Sequence, residues 1–171
     1  MSATQVLQRP TESWRWTVNS KGTSVDFTVK TFWGLSIVRG RFHRFDGSYE
    51  DGPDGATIEM TIEADSLDTG HGKRDAHLRS SDFFGVAEHP HVRFTSTRVH
   101  DVADGILHVV GKLEAGGNVV DIEFPAAVQA AGQDLEIEAT TTVDQRRLGM
   151  RGKLGMIRPP ATLHVKARLS R

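Results

Sequence analysis

Eight histidines are the side chains of this sequence best equipped for chemistry, and four of them, His71, His77, His89 and His91, fall in one region. His89 and His91 would share a face if their segment were extended. A zinc site needs three or four ligands in defined geometry, and no HExxH-type spacing joins these residues, so no metal ligand is expected. Beside them stands Arg74-Asp75. A guanidinium there could clasp a phosphate or a quinone oxygen in bidentate fashion. The alternative is an ion pair with hydrogen bonds that fix an irregular segment to the core, whose polar backbone groups must be satisfied. The irregular setting points to this structural role. Arg146-Arg147, Arg151, Lys153 and Arg158 form the one basic concentration, read as a solvated loop rather than a phosphate cradle. No G-x-S-x-G elbow, phosphate loop or dinucleotide fingerprint occurs, so no catalytic residue is expected. An enzyme reading, a hydrolase or isomerase acting on an apolar substrate, would need an inward His paired with Asp or Glu beside a cavity.

The elements that must position these groups are strands. Trp14, Trp16 and Val18 alternate with polar residues, as do Val25, Phe27 and Val29, and Ile58, Met60 and Ile62. The rhythm returns at Val92 and Phe94, Leu107 and Val109, and Val120, Ile122 and Phe124. It ends with Leu135 through Val143 and then Leu163, Val165, Ala167 and Leu169. Alternation of this kind sets apolar side chains on one face and Glu, Lys, Arg and Thr on the other, as in antiparallel strands with one wet side.

Between Ser36 and Glu50 the phase flips, with Val38, Gly40 and Phe42 in one register and Phe45 and Gly47 in the other. That flip predicts a bulge or bend where a strand turns a corner. Turns are expected at Asn19–Gly22, Asp51–Gly55, Asp101–Gly105, Ala115–Asn118 and Ala131–Asp134. Eight or nine strands so connected form a meander, and closure removes its exposed edges. The expected fold is all-β, a closed antiparallel barrel of about eight strands with a short helical insert near residues 72–84. In that insert Leu78 and Phe83 face inward, Arg74, Asp75, Arg79 and Asp82 face water or one another, and Ser81 caps a second short turn.

A barrel of about eight strands can be filled by side chains or hold one small ligand. Gly40, Ala56, Ala64, Ser96, Ala139 and Ala167 are small inward residues that leave room unless aromatic rings refill it. The rest of the lining is Val, Ile, Leu, Met and Phe, which suits a long hydrocarbon. Roughly 0.8 kcal/mol is gained per buried methylene.

Composition bounds the rest. The 21 basic and 22 acidic residues cancel, leaving no electrostatic footprint for nucleic acid or an anionic membrane. Cysteine is absent, which excludes disulfides and thiol chemistry. The start, MSATQVLQRPTESW, lacks a basic stretch followed by an apolar core, and no apolar run nears the roughly 20 residues of a membrane helix. The expectation is a soluble, cytoplasmic protein with a flexible extension over residues 1–13 and one domain over residues 14–171. Trp14 on an edge strand, next to that extension, leaves room for a homodimer.

The window Ser66 to Phe84, SLDTGHGKRDAHLRSSDFF, closely resembles the signature of the YceI-like family. The resemblance rests on Asp68, Thr69, Gly70, Arg74, Asp75, His77, Leu78, Ser80, Asp82, Phe83 and Phe84. It extends from Trp16 to about Leu169. Trp16–Val18 with Val25, Phe27 and Val29 looks like the family's first hairpin, and Val38 through Gly47 like its V-x-G-x-F-x-x-F-x-G stretch. Phe83 through Ser96 resembles F-F-D-V-x-x-x-P-x-I-x-F-x-S, and Asp144 through Met150 its late arginine- and glycine-containing loop. The sequence departs from the family at Asn19, Gly22-Thr23, Thr31 and Phe32-Trp33, close to where a ligand mouth would lie. The resemblance implies a lipocalin-like barrel that sequesters a polyisoprenoid, such as a polyprenyl phosphate or isoprenoid quinone, without catalysis or a required cofactor. The expected ligand contacts are Phe42, Phe45, Met60, Phe83, Phe84 and Phe94.

Overall fold

Period-two patterning becomes a continuous ladder in the computed structural model, which describes residues 12–31, 35–150, 152 and 157–171. The strands are β1 (Trp14–Thr31), β2 (Ser36–Phe42), β3 (Phe45–Gly52), β4 (Gly55–Glu63), β5 (Leu67–Asp68), β6 (His91–Ala103), β7 (Ile106–Ala115), β8 (Asn118–Ala131), β9 (Asp134–Val143) and β10 (Ile157–Ser170). Among the described residues, one helix, α1 (Gly72–Arg79), and two 3₁₀ turns, Ala64–Ser66 and Gln145–Leu148, interrupt them. Every pairing is antiparallel, and β10 hydrogen-bonds back to β1 to close the sheet. With β2 and β3 as two halves of one bent stave, and β5 a two-residue rail on β2, the barrel has the expected eight staves. The phase flip falls where expected, at His43-Arg44, between the two halves of that stave. Among the described residues no helix is long and apolar enough to cross a membrane.

Asn19–Gly22 is not a turn. Trp14–Thr31 is one strand, and its ladder with β10 passes from Asn19↔Arg168 directly to Ser24↔Lys166. The extra residues bulge out, with Gly22 at φ 87° and the Thr23 hydroxyl donating to the Asn19 carbonyl at 2.6 Å. The Arg168 backbone N–H donates in turn to the Thr23 hydroxyl at 2.9 Å. Residues that favour a turn also favour a bulge. Here both halves of β1 keep β10 as partner, so the chain continues instead of reversing, and the family-like first hairpin is a single bulged strand. The other four expected turns join β3–β4, β6–β7, β7–β8 and β8–β9.

β1 therefore has β10 on one side from Thr17 onward, with β3 and then β2 on the other, while Trp14 pairs with Asp51 of β3 alone. Its ring stacks 6.1 Å from Trp16 and lies 3.3 Å beneath the Arg171 guanidinium. Most of the expected extension, residues 1–11, and Phe32, Trp33, Arg151 and Lys153 lie outside the described residues.

Polar contacts, more than an apolar stripe, hold α1 in place, since only Asp75 and Leu78 of it are buried. The His71 side chain caps its start by accepting from the Arg74 N–H. Ser80 closes its end by donating to the His77 carbonyl. Arg74 and Asp75 do not pair with each other. Neighbours on a helix diverge, and both residues converge on Thr69 instead. Asp75 Oδ1 accepts from the Thr69 N–H (3.0 Å) and hydroxyl, while Arg74 donates to the Thr69 hydroxyl and carbonyl, both at 2.8 Å. Arg79 adds bonds to the Asp65 and Leu67 carbonyls. Asp75→Ala leaves two part-buried Thr69 donors without their acceptor, so it should lower stability by about 1–3 kcal/mol, measured as a drop in melting temperature. An unchanged melting temperature with lost ligand affinity would give Asp75 to the ligand instead.

Candidate functional site

Two apolar clusters divide the interior. One gathers Leu78, Phe83, Leu113, Val143, Leu148 and Met150 where α1 and the 3₁₀ turn Gln145–Leu148 meet the barrel. The other packs Trp16, Tyr49, Leu107, Val109, Val128 and Leu135. Between them lies a cavity of about 210 Å³ bordered by residues of both clusters. One water needs only about 10–15 Å³ by a comparable measure, so this is space for a molecule rather than a packing flaw. At about 24 cal/mol per Å³, an unfilled void of 210 Å³ costs on the order of 5 kcal/mol, which a well-matched occupant would offset. On β9 the wall runs from Ile137 to Val143, roughly 20 Å of strand at about 3.3 Å per residue. The shape suits an elongated guest.

Alternation places this wall as expected. Val25, Phe27, Ile58, Met60, Ile62, Phe94, Ile122, Ile137 and Val165 all border the cavity. Of the six expected contacts, Phe42, Met60, Phe83, Phe84 and Phe94 line it. Phe45 does not; it packs against the adjoining core, beyond the bend at His43-Arg44 that changes the inward phase. Phe42 and Phe84 meet edge-to-face at 5.8 Å, and Phe27 lies 5.4 Å from Phe42. This aromatic chain couples the barrel wall to the insert.

The small residues divide differently from expectation. Ala139 and Ala167 border the cavity. Ala64 is fully buried in a 3₁₀ turn outside it, and Ala56 faces a smaller polar recess beside Tyr49 and Asp51. Gly40 gives up its space to the Phe27 ring. The Ser96 hydroxyl accepts from the Ile58 N–H at 2.8 Å. Four of the six small residues thus leave no room in the cavity, their space taken by a ring or spent elsewhere.

Among the described residues no Lys, Arg or His borders this space. Asp26 and Ser48 touch the wall, yet their side chains bond Arg41 (2.7 Å) and Arg15 (3.4 Å) at exposed positions, and Glu59 is exposed. Burial, followed by the charges of Asp51 and Asp101, pushes the Tyr49 hydroxyl well above its ordinary range, so it stays neutral. The histidines are dispersed: His77 bonds Asp82 at 3.0 Å, His43 lies 3.3 Å from Asp68, and His164 lies 2.9 Å from Glu138. Among the described residues no three His, Asp or Glu side chains cluster to hold a metal. Of the basic tract, Arg146 pairs with Asp144 at 2.7 Å, and Arg158 is exposed.

Sequence reasoning missed one group. Gln145 is 5% exposed and borders the cavity, and its Oε1 is a buried oxygen without a hydrogen-bond partner among the described residues. An orphaned buried acceptor costs about 1–3 kcal/mol. Its signal in the sequence was faint, because alternation stops at Val143 and the loop that follows reads as basic and solvated.

A family model described as the YceI-like domain matches residues 16–169. A UPF0312 protein of Shewanella denitrificans is 31% identical, over 97% of this chain and 90% of its own length. A UPF0312 protein of Vibrio cholerae is 34% identical, over 68% of this chain and 64% of its own length. Among solved structures, Burkholderia cenocepacia BcnA superposes with a TM-score of 0.81 at 17% identity, covering 88% of this chain and 98% of its own. A polyisoprenoid binding domain from Saccharophagus degradans gives 0.74 at 14% identity, covering 91% of this chain and 97% of its own. At such identities these last two likenesses are ones of fold. The family model spans the whole barrel from β1 to β10, and relatives above 30% identity agree with it: the chain belongs to the YceI-like domain family.

Proposed function

We propose that this barrel binds, stores or carries an apolar isoprenoid lipid, of the polyprenyl phosphate or isoprenoid quinone kind, without transforming it. The observation that carries the reading is the cavity wall, mostly apolar along its length and, among the described residues, free of Lys, Arg and His. The fold it shares with a polyisoprenoid binding domain supports the same choice of guest. Each five-carbon unit buried contributes roughly 4 kcal/mol at about 0.8 kcal/mol per carbon. Association costs of about 4–15 kcal/mol then require several units rather than one. A hydrolase or isomerase would need a paired acid and base on this wall, and nothing in its lining favours that.

Organic extraction of the purified protein, followed by mass spectrometry, is the test. The expected result is a co-purified molecule with the mass pattern of an isoprenoid chain, and a lower melting temperature after extraction that returns on reloading. No extractable lipid, together with no uptake of a fluorescent prenyl analogue, would overturn the reading.

A further inference from the structure

Among the described residues, Gln145 shares the wall with five other polar residues, of which Thr141 and Tyr49 bring hydroxyls to it. Asp26 and Ser48 are engaged with arginines on the outside, and Glu59 is exposed. Its backbone is held firmly. The Asp144 side chain caps the turn by accepting from the Arg146 N–H at 3.1 Å. The Met150 N–H donates to the Gln145 carbonyl at 3.1 Å, and Gly149 follows in the left-handed region at φ 80°. The side chain is therefore carried on a fixed turn, with its buried oxygen unpartnered beside a mostly apolar space. A polar group so placed is pre-organised for a guest that brings the missing donor.

We propose that Gln145 is a ligand-binding residue and that the guest is a neutral isoprenoid bearing a hydroxyl, which donates to Gln145 Oε1. This rests on the isoprenoid-carrier reading and changes its head group, since a quinone offers only acceptors: an alcohol, phenol or quinol stands in place of the phosphate or quinone. A phosphate at this point would lose its water with no Lys, Arg or His on the wall among the described residues to replace it, and an unpaired buried anion is strongly disfavoured. A plain hydrocarbon would leave the oxygen orphaned. A hydroxyl satisfies it without bringing charge.

The test compares geranylgeraniol, its methyl ether and its monophosphate as competitors of a fluorescent prenyl probe, on the intact chain and on Gln145→Leu and Gln145→Met. In the parent, the alcohol should bind about tenfold more tightly than the ether, or ~1.4 kcal/mol, and more tightly than the monophosphate. In both variants the preference for alcohol over ether should vanish while the ether keeps its affinity. The two replacements are apolar and close to Gln in length, and removing an orphaned acceptor should not lower the melting temperature. Equal binding of alcohol and ether by the parent overturns the proposal, as does a preference that survives both substitutions. Tightest binding of the monophosphate overturns it too, by placing the head group away from Gln145. If the parent binds the probe normally in any of these cases, only the Gln145 assignment fails. If it binds neither the probe nor any of the three, the carrier reading fails with it.

Discussion

Ala139→Phe should abolish binding of a fluorescent prenyl analogue, raising its Kd at least ~100-fold, while leaving the melting temperature unchanged or higher. Ala139 faces Ala126 on β8 and Val165 on β10, and all three border the cavity. A phenyl ring placed there enters space meant for the guest, so it fills a void instead of overpacking a core. The matching control is Ala64→Phe. Ala64 has no exposed surface and lies outside the cavity, so a ring there should cost about 1–3 kcal/mol of stability. Parallel titrations and melting curves separate the two effects. Destabilisation by Ala139→Phe of the same size as by Ala64→Phe would mean that the barrel is solid at that point.

Gly111→Val should lower the melting temperature by roughly 3–10 °C, taking about 1–3 kcal/mol for overpacking and about 2–4 °C per kcal/mol in a domain of this size. Gly111 is buried on β7 between Ser96 of β6 and Ile122 of β8. A Cβ there would lie 2.5 Å from the Thr95 carbonyl oxygen and 2.6 Å from two ring carbons of Phe94. The ring can move, though only toward the cavity and Phe124, whose ring is 5.4 Å away. The carbonyl belongs to the ladder and cannot. Loss of prenyl binding should therefore accompany the loss of stability. Phe94→Leu in the same chain relieves the ring contact alone, so it should restore part of the stability and not all of it. A melting temperature unchanged by Gly111→Val would show that β6 yields at this point.

The inward set of side chains was legible because alternation is local. A strand has two faces, and one row of Val, Ile, Leu, Met and Phe can be buried only together. Met60 and Ile62 on β4, Ile137 on β9 and Val165 on β10 needed no tertiary information to be placed on the cavity wall. Most hairpins were legible for a similar reason, since the Gly-containing tips at Asp104-Gly105 and Gly116-Gly117 supply the positive φ that tight reversals demand. Where two outcomes share the same local chemistry, only long-range pairing decides. Asn19–Gly22 could reverse the chain or bulge it, and the continued ladder with β10 made it bulge. Arg74 and Asp75 could meet each other or a third residue, and the docking of α1 beside Leu67–Asp68 brought them Thr69. The phase flip between Phe42 and Phe45 was legible, but only the folded barrel put Phe42 on the cavity wall and Phe45 against the adjoining core. Gln145 depended most on the tertiary fold. A glutamine after the last residue of a strand is ordinarily solvated, and only closure of the barrel around the turn that carries it removed water from its Oε1 without supplying another donor.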